Sequence, residues 1–178
     1  MNLPPNVILI GFMGSGKSSV GKLLAPKIKY EYFDTDEWIE NKNNKKIALI
    51  FEECGEEYFR REEAAVLKCI NKKKKLVIST GGGLWTNEDL RNQLLSLGWC
   101  IWLKVSPSTV FKRIEKNLSS RPLLARDENP IEKIKKLLIE REGYYSLAHD
   151  FVDTENKNPS EVANEIVRKM GETNKIFF

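Results

Sequence analysis

The sequence predicts an α/β three-layer sandwich built on a five-stranded parallel sheet. Short apolar runs of strand length recur along the chain, each is followed by a helical pattern, and the first run leads straight into a glycine-rich turn. Parallel strands need a crossover of a dozen or more residues, usually a helix, so this alternation calls for a sheet covered on both faces.

Asn6 to Gly11 is a continuous apolar run ending in glycine, as expected for a buried strand. Val20, Leu23, Leu24 and Ile28 then recur at helical spacing, with Pro26 expected to bend or shorten that helix. Tyr30 to Asp34 is read as the second strand. A helix through Trp38 and Ile39 follows, then a polar break at Asn41 to Asn44. Ile47, Ile50 and Phe51 form a short amphipathic turn, and Phe59, Ala64, Leu67 and Ile70 mark a longer helix opening after Gly55. Leu76 to Thr80 is the third strand, stopped by Gly81, Gly82 and Gly83. Leu90, Leu94, Leu95 and Leu97 line a helix ending at Gly98. Trp99 to Val105 supplies the fourth strand, Pro107 to Lys116 and Ile131 to Tyr145 two helices, Phe151 and Val152 the last strand, and Ser160 to Met170 the closing helix.

At 178 residues the chain is read as a single domain, 1–178. A hydrophobic share of 41% is too apolar for a disordered chain. The net charge of +4 is modest, and its one dense cluster, Lys72 to Lys75, is expected to be a solvated loop, so neither nucleic acid nor membrane is expected as a partner. Cys54, Cys69 and Cys100 fit neither a CxxC pair nor a closed disulfide framework. With no apolar run of membrane-spanning length, a cytoplasmic protein is expected.

In such folds ligands sit at the carboxyl ends of the strands. After strand one, GFMGSGKS from Gly11 to Ser18 fits GxxxxGK[ST] between a strand and a helix. Gly14, Ser15, Gly16, Lys17, Ser18 and Ser19 are therefore the candidate ATP-binding stretch: backbone N–H groups cradle the phosphates, Lys17 reaches the β- and γ-oxygens, and Ser18 can ligate Mg²⁺. After strand two come Asp34, Thr35 and Asp36. One acid can hold a magnesium-bound water while the other takes a proton from an attacking hydroxyl; an Asp capping the next helix is the structural alternative. The three glycines after strand three either admit a ligand to the main chain or make a plain turn. Arg121, in an RPLL stretch between two helices, is either a lid arginine for the γ-phosphate or a surface residue.

This ordered set, with FRRxE around Arg60 and an arginine before a tyrosine pair at Arg141, resembles the shikimate kinase family from Val7 to about Val167. The resemblance implies a P-loop NTPase fold of the nucleoside monophosphate kinase type, with a substrate-binding helical segment at about 35–62 and a mobile lid at about 113–128. It implies transfer of the ATP γ-phosphoryl to the 3-hydroxyl of shikimate in aromatic amino acid biosynthesis, by an enzyme expected to be monomeric. Asp36 would bind the substrate hydroxyls and act as base, Arg60 and Arg141 would grip the carboxylate, Gly82 would donate its N–H, and Glu63 would brace Arg60. Asp34 would join the Mg²⁺ shell with Ser18, through water. Lys17 and Arg121 would neutralise the transferring group, and Arg113 and Pro159 would flank the adenine. Without the resemblance, Arg60 and Arg141 are two helix-surface arginines.

There are departures from the family. Asn43, Asn44, Lys45 and Lys46 replace its usual Thr-Gly-x-Ser turn, so Lys46 offers no side-chain cap and a looser substrate segment is expected. The span from Arg113 to Arg121 is about one residue longer than in some relatives. His149 reads as structural, and Trp85 as core packing close to the pocket. A gluconate or nucleoside monophosphate kinase is the rival within the fold. A GTPase is disfavoured because Asn41, Asn71 and Asn156, each followed by lysine, lack the aspartate of NKxD.

Overall fold

The computed structural model describes residues 3–116, Leu124 and 129–173. Five strands form one parallel sheet: β1 (Asn6–Ile10), β2 (Glu31–Asp34), β3 (Leu76–Ser79), β4 (Trp99–Lys104) and β5 (Asp150–Asp153), in the order β2-β3-β1-β4-β5. β1 is central and wholly buried, which is why it reads as an unbroken apolar run rather than an alternating one. Its side chains divide between the two faces. Val7 and Leu9 enter a core with Val77, Ile101 and Leu103, while Ile8 and Ile10 enter the opposite core with Ile78, Cys100 and Trp102.

The first core is covered by α1 (Lys17–Ile28) and α7 (Pro159–Thr173), through Val20, Leu24, Val162 and Ile166. The second is covered by α3 (Ile47–Ile70), α4 (Glu88–Leu97), α5 (Pro107–Ile114) and α6 (Pro130–Tyr145), and Leu124 is buried there too. Pro26 sits inside the last turn of α1 and does not stop it before Ile28. α3 is two helices merged across Gly55, whose φ of 79° and ψ of 173° are non-helical, matching the break expected there.

α2 (Thr35–Asn43) packs against α3 on both sides of Gly55, around Ile39, Ile50 and Phe59, a small separate core. Asn44 turns the chain between them with φ 51°, the left-handed conformation expected of it. Lys46 indeed provides no side-chain cap to α3. Glu40 supplies the cap instead. Its Oε1 accepts from the Ile47 N–H at 3.1 Å while its Oε2 pairs with Lys46 Nζ at 2.7 Å. Asn43 adds a bond to the Ile39 carbonyl and accepts from the Tyr58 hydroxyl at 2.6 Å.

Candidate active site

The glycine-rich loop joins β1 to α1 at the carboxyl edge of the sheet. Gly14 and Gly16 take φ 74° and 97°, conformations that side chains rarely adopt, and they curl the loop into a cradle ahead of the α1 N-terminus. Lys17 Nζ folds back along that loop, donating to the carbonyls of Gly11 at 2.8 Å and Phe12 at 2.9 Å. A cavity of 440 Å³ opens over the cradle, and its walls include Lys17, Ser18, Ser19, Arg113 and Pro159. Arg113 is fixed at its side, bonding the Gly14 carbonyl at 3.1 Å and the Thr154 carbonyl at 3.1 Å. Thr154 and Lys157 line the same cavity. The sequence reading missed both, since a Thr and a Lys in a loop carry no motif.

β2 and β1 are not neighbours, because β3 lies between them. Asp34 nevertheless meets the cradle: α1 runs back over the sheet, and Ser18 Oγ donates to Asp34 Oδ2 at 2.9 Å. Tyr32 Oη donates to the same oxygen at 2.7 Å. Burial, helped by Asp34, pushes the Tyr32 phenol well above its ordinary value. Asp34 Oδ1 caps α2, accepting from the N–H groups of Asp36 at 3.0 Å and Glu37 at 3.3 Å. Asp34 is thus the helix cap that the sequence offered as the structural alternative, and it is also the partner of Ser18.

A second cavity of 490 Å³ adjoins the first and shares Met13, Ser18, Asp34, Asp36 and Gly82 with it. Arg60, Glu63 and Arg141 line its far wall. Glu63 is almost wholly buried and accepts from Arg60 Nη1 at 2.7 Å, and Glu56 holds Arg60 Nη2 at 2.7 Å. Burial pushes the Glu63 carboxyl up, against the pull of Arg60. Burial also opposes the charge on Arg60, yet Glu63 and Glu56 overcome it and hold the guanidinium above its usual value. Arg141 reaches in from α6, donating to the Gly82 carbonyl at 3.0 Å, and that carbonyl also accepts from the buried Tyr145 hydroxyl at 3.0 Å.

The triple glycine serves the protein's own side chains as much as a ligand. A Cβ on Gly81 would stand 2.6 Å from Asp36 Oδ1, and one on Gly83 would stand 2.8 Å from Arg60 Nη1. Only Gly82 is open to the cavity without such a clash. Trp85 is fully buried behind it, donating to the Tyr144 carbonyl at 2.7 Å, so it packs near the pocket without lining it. Arg121 and most of the expected lid lie outside the described residues, as does the apolar end at Ile176, Phe177 and Phe178.

Residues 13–171 match the model of the shikimate kinase family. A shikimate kinase of Sulfurihydrogenibium sp. is 46% identical over 165 residues, covering 93% of this chain and 97% of that protein. The chain belongs to the shikimate kinase family. Its activity is accordingly the ATP-dependent phosphorylation of a hydroxyl of shikimate, and the fold is that of the P-loop kinases. The shikimate kinase of Acinetobacter baumannii, solved in complex with shikimate, superposes with a TM-score of 0.90 at 35% identity, covering 97% of this chain and 95% of that one. That of Aquifex aeolicus superposes at 0.82 with 40% identity, covering 96% and 98%. The shikimate kinase family is thus matched along the length that holds both cavities.

Proposed function

We propose that the two adjoining cavities hold ATP and shikimate respectively, with Asp36 at their junction as the base that takes the proton from the 3-hydroxyl. The carrying observation is that both cavities are lined by Asp36, with Lys17 in the wall of one and Arg60 and Arg141 in the wall of the other. The substrate oxygen attacks the γ-phosphorus, the bond from phosphorus to the β–γ bridging oxygen breaks, and ADP leaves with that electron pair. Asp36 receives the hydroxyl proton and returns it to solvent. Lys17 leaves the Gly11 and Phe12 carbonyls to follow the charge of the transferring group, and Arg121 neutralises it from the lid segment, about 113–128.

Arg60 and Arg141 grip the shikimate carboxylate, a pairing suited to the planar guanidinium, and the Gly82 N–H donates to the same molecule. The substrate-binding segment is about 35–62, with Glu63 holding Arg60 in place. Arg113 and Pro159 flank the adenine. Ser18 would hold Mg²⁺ through its hydroxyl beside the phosphate cradle, with Asp34 one shell out behind it, the hard oxygen chemistry that suits this ion. Bound there, the ion neutralises phosphate charge. Three free cysteines suit the reducing cytoplasm, and a monomer completes the reading.

Asp36→Asn tests the assignment. Turnover of shikimate should fall by at least about a hundredfold while ATP binding, read by equilibrium titration, stays within about threefold. Near-normal kcat in that variant excludes Asp36 as the base.

A further inference from the structure

We infer that Tyr32 is a positioning residue for the metal shell, acting through Asp34. The inference rests on the Mg²⁺ reading of Ser18 and Asp34 above. An ionised carboxylate has about four lone-pair directions to offer. In Asp34 all four are taken: Oδ2 accepts from Tyr32 Oη at 2.7 Å and Ser18 Oγ at 2.9 Å, and Oδ1 accepts from the N–H groups of Asp36 and Glu37. A carboxylate so occupied does not ligate a cation directly. It acts one shell out, accepting the Ser18 proton so that the other face of that hydroxyl is presented to the metal. Tyr32 is the donor that keeps Oδ2 turned toward Ser18, and the helix start keeps Oδ1 turned away.

The ring of Tyr32 is itself held. It lies against α1 at Gly21, where an added Cβ would stand 2.5 Å from Tyr32 Cε2, and Lys22 Nζ lies 5.4 Å from the ring centroid. A glycine inside a helix costs about 1 kcal/mol relative to alanine, and here it makes the space that brings the phenol to Asp34. Lys22 in turn pairs with Glu37 at 3.0 Å, so the ring, α1 and the start of α2 form one support under the carboxylate.

The test uses the full-length protein with ADP and titrates Mn²⁺ as a paramagnetic stand-in for Mg²⁺, reading free Mn²⁺ by electron paramagnetic resonance. Partners that orient a ligand from outside the first shell typically tune metal affinity by ten- to a hundredfold, so Tyr32→Phe, which keeps the ring against Gly21, should raise the Mn²⁺ Kd about tenfold. The shikimate KM should stay within about twofold of the parent, because Arg60 and Arg141 are untouched. Asp34→Asn should weaken Mn²⁺ at least as much. If Asp34→Asn weakens Mn²⁺ and Tyr32→Phe does not, the role of Tyr32 is overturned while the metal reading stands. If neither variant changes the Kd, both fall. An equal rise in shikimate KM and Mn²⁺ Kd for Tyr32→Phe also overturns the inference, since it marks a general loss of structure.

Discussion

Arg60 and Arg141 enter the cavity proposed for shikimate from different helices, and their supports differ. Arg60 is anchored by the buried Glu63 carboxylate, whereas Arg141 donates to a main-chain carbonyl that a substrate carboxylate can replace. A hydrogen bond to a charged group contributes about 1.5–3 kcal/mol, so Arg141→Ala should raise the shikimate KM about ten- to a hundredfold with kcat nearly kept. Arg121→Ala should instead lower kcat by about 10³, which steady-state kinetics separates. Glu63→Gln should raise the shikimate KM about fivefold and leave the ATP KM alone, because Gln keeps the shape but loses the charge that fixes Arg60. In the parent, the raised Glu63 pKa makes that charge disappear as pH falls, so the KM should climb toward acid pH and the Gln variant should show a flatter profile. The phosphate cradle was legible in the sequence because its pattern is contiguous. Thr154, Lys157 and the donation by Tyr32 were not, because each depends on which loops the sheet order brings together.

Between α2 and α3 the sequence correctly denied Lys46 a capping role, but it could not show that a carboxylate one turn before the end of α2 folds across to do the work. Capping from a distance has no sequence spacing rule, unlike the residue immediately ahead of a helix. Glu40→Ala should therefore cost about 1 kcal/mol of stability, the usual price of a lost cap, and should raise the shikimate KM because Glu40, Lys46 and Ile47 line that cavity. Lys46→Ser in the same background restores a local hydroxyl cap and should recover most of both. Chemical denaturation and shikimate saturation of the single and double variants check the pair. Failure of the serine to rescue stability would show that the Glu40 side chain matters for something other than the α3 start.

Across the whole molecule, the alternation of strand and helix was readable because the three inner strands β3, β1 and β4 are buried apolar runs separated by helical patterns, whereas the edge strands β2 and β5 are short and more exposed; the order β2-β3-β1-β4-β5 was not, because neighbour choice depends on packing between elements distant in sequence. The junction of β4 with the edge strand β5 is fastened by His149. Its main-chain N–H donates to the Cys100 carbonyl at 3.1 Å, and its Nδ1 accepts from the Cys100 N–H at 3.0 Å. Protonating Nδ1 replaces that acceptor with a second donor, and burial holds the folded pKa below the ordinary value of 6.5. The unfolded chain therefore takes up the proton first as pH drops. Stability from this histidine is complete above about pH 6.5 and is lost as pH falls toward the folded pKa, at no more than about 1.4 kcal/mol per pH unit. Glu63 acts in the opposite sense, since its folded pKa is raised and acid relieves its burial. The difference between the parent and His149→Gln isolates the histidine, because Gln retains a side-chain acceptor but does not titrate. Urea denaturation at pH 7.5 and 5.5 should show the parent losing more stability than the variant on acidification, and parallel losses in the two would mean that the Cys100 N–H does not depend on a neutral imidazole.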